Sequence, residues 1–189
     1  SISQMGYIIF AVGIGTPLAI IGGLLHLLNH AFFKSLLFLC SGAVDYATGT
    51  RDLKKLGGLW TKMPVTSATC TIGSLSISGI PPLGGFFSKL IIVIATVQAY
   101  DTLGVAAYWL AGITVLVSFI TLLYFVKLLK MAFFGPLPAK LAHVKEVPAL
   151  MWSVLVILTV FCIGFGLACP YFIDMIEPVQ EVLLDKSTY

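Results

Sequence analysis

Residues 17–44 read PLAIIGGLLHLLNHAFFKSLLFLCSGAV. The only formal charge in this stretch is Lys34, accompanied by His26 and His30 in otherwise apolar surroundings. A helix crosses the hydrocarbon core in ~20 residues, so this stretch is long enough to be a membrane span. Lipid offers the backbone no hydrogen bonds, which makes a helix the expected form. On a helix, positions i, i+4 and i+8 stand in one row, about 6 Å per step, and these are the positions of His26, His30 and Lys34. An ammonium inside a span costs roughly 2.5–3.5 kcal/mol on insertion scales, and such groups face protein or a hydrated cavity. Histidine takes and releases protons near neutral pH. Lysine carries a proton it can release, which arginine does not. The row is therefore a candidate proton wire. In the purely structural reading, each histidine is a hydrogen-bonded core residue and Lys34 snorkels toward the charged loop beyond Asp45. A metal pair at His26 and His30 lacks a third ligand nearby, so no metal is expected.

The composition of the whole chain agrees with a lipid solvent. Of 189 residues, 59% are apolar and 10% charged, with a mean hydropathy of +1.04. Soluble domains are ~25% charged. A domain of this size buries only roughly 70% of its unfolded surface, so a water-soluble globule is excluded. Disorder is excluded as well. The net charge of +3 comes from scattered cations with no aromatic-interleaved basic stripe, which argues against nucleic acid. Cys40, Cys70, Cys162 and Cys169 lie in apolar stretches without C-x-x-C spacing and read as buried thiols. No basic leader precedes the first span, and the chain does not begin with Met, as expected of a processed chain or a part of a longer one.

Charge-free runs predict six spans, near 1–14, 17–44, 62–79, 82–100, 104–130 and 147–173. Gly15-Thr16-Pro17 separates the first two. Gly79-Ile80-Pro81-Pro82-Leu83-Gly84-Gly85 separates the third and fourth, because proline removes a backbone donor and glycine loosens the helix. One charged loop holds Arg51, Asp52, Lys54, Lys55 and Lys62; a second is surrounded by Lys127, Lys130, Lys140 and Lys145. Three spans between them would put these loops on opposite faces, in conflict with the positive-inside rule, so either one loop breaks the rule or the span count is wrong by one. Orientation is thus left open. Residues 1–173 form the transmembrane domain in this reading, and 174–189 a polar C-terminal tail.

The Pro81-Pro82 and Gly84-Gly85 stretch, followed by Lys89, has the character of a broken helix, whose freed backbone groups are tolerated where they line protein or water. A plain turn with Lys89 at the interface is the equal alternative. No Asp or Glu falls deep within a span. Two intramembrane lysines without an internal carboxylate are either kept neutral or matched by an acidic partner on a neighbouring chain or a missing segment, and the second is the favoured expectation.

These residues resemble one family. Ser3-Gln4-Met5-Gly6-Tyr7, the His26…His30-Ala-Phe-Phe-Lys34 helix, Gly49-Thr-Arg-Asp-Leu53, Leu56-Gly57-Gly58-Leu59 and Gly79-Ile-Pro-Pro-Leu-Gly-Gly-Phe-Phe-Ser-Lys89 are similar to antiporter-like, proton-translocating membrane subunits. That family is shared by respiratory complex I, membrane-bound hydrogenase-type complexes and Mrp-type Na⁺/H⁺ antiporters. The string covers residues 1–90 in order; Tyr124…Phe133-Phe134-Gly135 also fits. The resemblance implies an all-α membrane fold of inverted repeats, of which this chain matches the second repeat plus a closing helix, about six transmembrane helices including a broken one. It implies proton transfer at His26, His30, Lys34 and Lys89. The first repeat, which would hold a glutamate–lysine pair, is absent. Many relatives carry a histidine near Tyr46, where this chain has Val44-Asp45-Tyr46; Asp45 is a possible substitute at a proton exit.

Three functions follow as expectations. The foremost is an ion-translocating subunit of a redox-driven respiratory or hydrogenase-type complex, non-catalytic by itself and binding no cofactor. The alternative is a subunit of an Mrp-type antiporter with no redox partner; the third is a structural half-subunit without a complete path. A membrane enzyme with its own active site is disfavoured, because no nucleophile–base pair, carboxylate dyad or phosphate loop is visible. All three place the chain as a multi-pass protein of the cell membrane or an inner organellar membrane, among other membrane subunits.

Overall fold

A computed structural model describes residues 2–184. Its regular elements are α1 (Ile2–Ile14), α2 (Pro17–Thr48), α3 (Pro64–Ser78), α4 (Gly84–Gln98), α5 (Tyr100–Leu103), α6 (Ala106–Leu129), α7 (Ala149–Leu167) and α8 (Cys169–Leu184). A π turn, Lys130–Phe134, extends α6, and there is no strand among the described residues. Three helical stretches are long and apolar enough to cross a membrane alone: Pro17–Thr48, Ala106–Phe134 and Ala149–Leu167.

Helix α2 organises the bundle. Thr16 caps it, its hydroxyl accepting from the Ala19 amide at 3.3 Å, and Pro17 supplies a first-turn residue that needs no donor. It ends at Gly49, in the left-handed conformation, whose amide donates to the Asp45 carbonyl at 2.8 Å. The helix therefore runs four residues past the expected end at 44, and Asp45 lies on its last turn instead of in a loop.

The expected pair of spans at 62–79 and 82–100 is corrected by what touches α2. Going down α2, Cys40 meets Thr69 of α3, and Leu36 lies against Gly73. Asn29 then meets Gly84 of α4, His26 meets Ser88, and Gly22 lies against Ile91 and Ile92. The contacts descend α2 without a reversal while climbing through α3 and then α4. These two helices are thus halves of one interrupted line antiparallel to α2. Each has 15 residues, about 22 Å at 1.5 Å per residue, which is short of the ~30 Å hydrocarbon core. The break at 79–83, with its cis Pro81-Pro82 bond, lies beside the middle of α2.

α7 and α8 repeat this arrangement. Phe161 and Phe165 of α7 pack on Phe32 at 5.1 and 4.8 Å between ring centroids. Cys169 and Ile176 of α8 cluster with Leu25 and Ile21 lower on α2. The expected span 147–173 is accordingly divided at Ala168, and the helix that begins at Cys169 carries on to Leu184, through most of the stretch 174–189 read as a polar tail. Residues 185–189 lie outside the described residues. The two breaks touch, since Gly166 lies against the Pro82 carbonyl.

One crossing fewer between the charged loops brings them to the same end. Gly58 (φ +61°) lies under the Leu137 backbone, where a Cβ would sit 2.7 Å from the Leu137 nitrogen. Trp60 stacks on Phe134 at 5.2 Å. Glu146 reaches from the second loop to the first turn of α3, its carboxylate accepting from the Val65 amide at 2.8 Å and the Thr66 hydroxyl at 2.6 Å. A carboxylate on a helix N-terminus satisfies amides with no partner in the helix and complements the dipole. The opposite-face expectation for the loops is therefore wrong.

Candidate functional site

A polar seam runs through the bundle where α1, α2 and α4 meet. His26 is fully buried. Its Nδ1 lies 2.9 Å from the Ser88 Oγ of α4, and its Nε2 lies 3.0 Å from the Gln4 Oε1 of α1. An isolated buried imidazole would leave polar atoms unpaired, at a cost of about 1–3 kcal/mol; here both nitrogens are satisfied. Position 4 meets position 26 because α1 folds back along α2, with Ala11 against Gly23.

Lys89 follows Ser88 on α4 and is only 5% exposed. Its Nζ donates to the Ile77 carbonyl at 2.7 Å. That carbonyl is free to accept because α3 ends at Ser78. The ammonium also lies 5.0 Å from the Tyr7 ring centroid, within cation–π range. Tyr7 is itself fixed, its hydroxyl donating to the Thr114 carbonyl at 2.6 Å and lying 2.8 Å from Ser118 of α6. The broken helix thus supplies both a lysine and the acceptor for it.

The break depends on close backbone approach. A Cβ at Gly85 would collide with the Ser76 carbonyl, and one at Gly84 with the Asn29 side chain. Asn29 Nδ2 donates to the carbonyls of Leu25, at 3.0 Å, and Gly84, at 3.3 Å, stitching α2 to the first turn of α4. Pro81 and Pro82 are exposed at the turn.

His30 and Lys34 lie higher on α2 and are half-buried. The His30 ring meets Phe33 edge-on at 5.4 Å, and its Nε2 is buried without a protein partner, as are the hydroxyls of Ser74 and Ser76 on α3. Lys34 sits 4.3 Å from the Phe38 ring and lines a cavity of about 660 Å³ with Ser3, Gln4, Ser41, Thr121 and Tyr124. Gln4 therefore touches both compartments, lining the cavity and binding His26. The sequence row is not a hydrogen-bonded chain: Phe33 stands between the two histidines, 6.2 Å from His26. Asp45 is well away from the seam and pairs with Arg51 at 2.9 Å. Among the described residues, the ion pairs are this one and Lys55–Asp52, so neither Lys34 nor Lys89 meets a carboxylate.

Gln4, Tyr7 and Ser88 carry no individual role in the sequence reading, although each lies in a quoted motif. A lone amide in an apolar helix was the available signal for Gln4. Glu146 had no local signal, because its partner is a helix N-terminus 80 residues away in sequence. All four cysteines are buried and free. No group of three or more His, Cys, Asp and Glu side chains among the described residues converges as a metal site.

Residues 1–121 match the family described as NADH:quinone oxidoreductase/Mrp antiporter, TM. The chain belongs to this family. It is a multi-pass integral membrane protein of the antiporter-like type. It is 40% identical over 176 residues to the F(420)H(2) dehydrogenase subunit L of Methanosarcina mazei, covering 88% of this chain and 26% of that protein. It is 41% identical over 192 residues to a Na(+)/H(+) antiporter subunit A1 of Staphylococcus haemolyticus, covering 88% of this chain and 23% of that one. A chain of the solved Mrp complex from Dietzia sp. superposes with a TM-score of 0.87 at 26% identity, over 99% of this chain and 42% of its own. The chain thus spans about a quarter of the length of these curated relatives.

Proposed function

We propose that this chain moves protons through a membrane complex, with His26 and Lys89 on the buried seam and His30 and Lys34 on the cavity side as the transfer groups. The observation that carries the reading is Lys89, a lysine in lipid-level apolar surroundings, held by a carbonyl that a broken helix leaves free. Lipid-facing structure gains nothing from such a group. His30 Nε2 and the Ser74 and Ser76 hydroxyls are buried polar atoms of the kind that water completes, which supports a hydrated link between seam and cavity.

In this reading the chain crosses the membrane as α1, α2, α3–α4, α6 and α7–α8, and corresponds to the second repeat of an antiporter-like subunit with its closing helix. The chain itself holds no cofactor. Lys34 faces a cavity with no carboxylate among the described residues, so a neighbouring subunit or segment supplies the acid. The loop end bearing Arg51, Lys54, Lys55, Lys62, Lys127, Lys130, Lys140 and Lys145 faces the cytoplasm or its organellar equivalent, because the other end carries no lysine or arginine among the described residues.

Two driving forces fit. The redox-driven form is supported by likeness to a dehydrogenase subunit, the gradient-driven form by the near-complete superposition on a chain of an Mrp complex. Purification of the native assembly in mild detergent, followed by mass spectrometry of every chain, separates them. Partners with iron–sulfur or nickel-site sequences are the expected result. Membrane partners alone would establish the gradient-driven form. Unimpaired translocation in sealed vesicles with both His26→Phe and Lys89→Ala would overturn the proton role itself.

A further inference from the structure

The outer face of α6 takes no part in the seam or the cavity. The buried residues of this helix, Ala107, Ala111, Thr114 and Leu129, lie on one side of it. At about 100° per residue, Leu116, Phe119, Leu123, Lys127 and Lys130 fall in one stripe on the opposite side. All five are exposed. The apolar part of the stripe matches one leaflet in length. Leu116 and Lys127 are separated by about 16 Å at 1.5 Å per residue, and half of the ~30 Å hydrocarbon core is about 15 Å. An acyl chain laid along Leu116, Phe119 and Leu123 therefore brings its headgroup to Lys127 and Lys130.

The charge at that end is left open. Its carboxylates are engaged elsewhere: Asp45 with Arg51, Asp52 with Lys55, and Glu146 on the first turn of α3. Among the described residues, neither Lys127 nor Lys130 meets a carboxylate. The two lysines stand one turn apart on the same face, where like charges repel, so an anion between them relieves both. Just beyond, the π turn Lys130–Phe134 buries Phe133 and leaves Phe134 exposed, its ring stacked on the exposed Trp60 at 5.2 Å. Aromatic rings of this kind sit at headgroup level. The stripe thus runs from an acyl-chain track to two free cations beside an interfacial aromatic pair.

We propose that α6 seats an anionic phospholipid lengthwise, with an acyl chain along Leu116, Phe119 and Leu123 and the phosphate between Lys127 and Lys130. Any lipid covers the apolar part of this face; the two lysines select among lipids by headgroup charge. A zwitterionic headgroup carries a cation of its own and no net charge, so it gains little from the pair, whereas a headgroup with net negative charge gains from both lysines. The seat is independent of the proton-translocation reading and of the force that drives the complex.

The test uses the intact native complex in vesicles, with Leu123→Trp in this chain as a reporter on the stripe. Quenching of the added fluorescence, the parent complex subtracted, is compared for acyl-brominated phosphatidylglycerol and acyl-brominated phosphatidylcholine of the same chains. A lysine near an anionic headgroup is worth about a fivefold preference, so phosphatidylglycerol is expected to reach half-quenching at a mole fraction at least ~5-fold lower. Lys127→Gln combined with Lys130→Gln is expected to abolish that preference. Raising the salt from about 0.1 to about 1 M should abolish it too, since the Debye length falls from ~10 to ~3 Å. Equal quenching by the two lipids overturns the proposal, because the face then takes any lipid. Quenching by neither overturns it as well, and identifies a neighbouring helix as the cover. If the double variant does not assemble, the salt series decides: a preference unchanged at high salt rules out a headgroup held by the lysines.

Discussion

Lys89 and Lys34 are both lysines in apolar helices, yet the protein houses them differently. Lys89 is in a closed seam: 5% exposed, bonded to the Ile77 carbonyl, flanked by Tyr7. Lys34 is half-buried on a cavity of about 660 Å³, with an aromatic ring as its near neighbour. Lys89 has its polar end satisfied within this chain by a backbone carbonyl, whereas Lys34 keeps its polar end on the cavity with no carboxylate bound among the described residues.

The comparison can be broken most severely at the seam's backbone. Gly85→Ala drives a Cβ into the Ser76 carbonyl, and the neighbour is backbone that cannot turn aside. The expected loss is about 3 kcal/mol or failure to assemble, read from yield and melting temperature of the complex. Gly42→Ala and Gly112→Ala have nothing within 4 Å of the new Cβ and should leave stability unchanged or raise it by up to ~1 kcal/mol. Equal losses at all three positions would show that the break is not held by close approach.

Next in size come the lysines themselves. Lys89→Ala should cut translocation ~100-fold or more and lower the melting temperature, because the Ile77 carbonyl loses its donor, a cost of about 1–3 kcal/mol. Lys89→Arg should fail as well, since guanidinium does not release its proton and is too large for a site where Gly79 already approaches the lysine stem. Lys34→Ala should also abolish or strongly reduce translocation but shift stability by no more than ~0.5 kcal/mol, its side chain lying against the Phe38 ring with no ion pair among the described residues. If both alanine variants destabilise alike, the distinction between seam and cavity fails.

Smaller effects are expected at the loop end. Glu146→Ala should cost about 1 kcal/mol through loss of the α3 cap, measured by thermal melting, and translocation should change less than at either lysine. Asp45→Asn should cost ~0–1 kcal/mol, as expected for a surface pair with an arginine whose side chain is 71% exposed. Translocation close to wild type in Asp45→Asn would agree with its place away from the seam; a tenfold fall would make Asp45 part of the exit.

Much of this was legible because local chemistry declares its solvent. An apolar run with three titratable residues at helical spacing says membrane, helix and one shared stripe, and a Gly/Pro run beside Lys89 says interruption. The same evidence misled where chain direction mattered. Residues 62–79 and 82–100 each have the composition of a span, and a turn at 79–83 allows either a reversal or a straight continuation. Only the contacts with α2, from Cys40–Thr69 down to Gly22–Ile92, decide for continuation. That one decision also moves the two charged loops to the same face.

By itself, then, the sequence determined the solvent, the helical class, the family and the candidate residues His26, His30, Lys34 and Lys89. The tertiary structure alone decided that these four divide between a closed seam and an open cavity, that Gln4 and Ser88 hold His26, and that Glu146 caps α3. The physical reason is range. Helical periodicity and hydropathy act over one or two turns and are written in neighbouring residues, whereas His26 meets partners 22 and 62 residues away, through packing that no local pattern encodes.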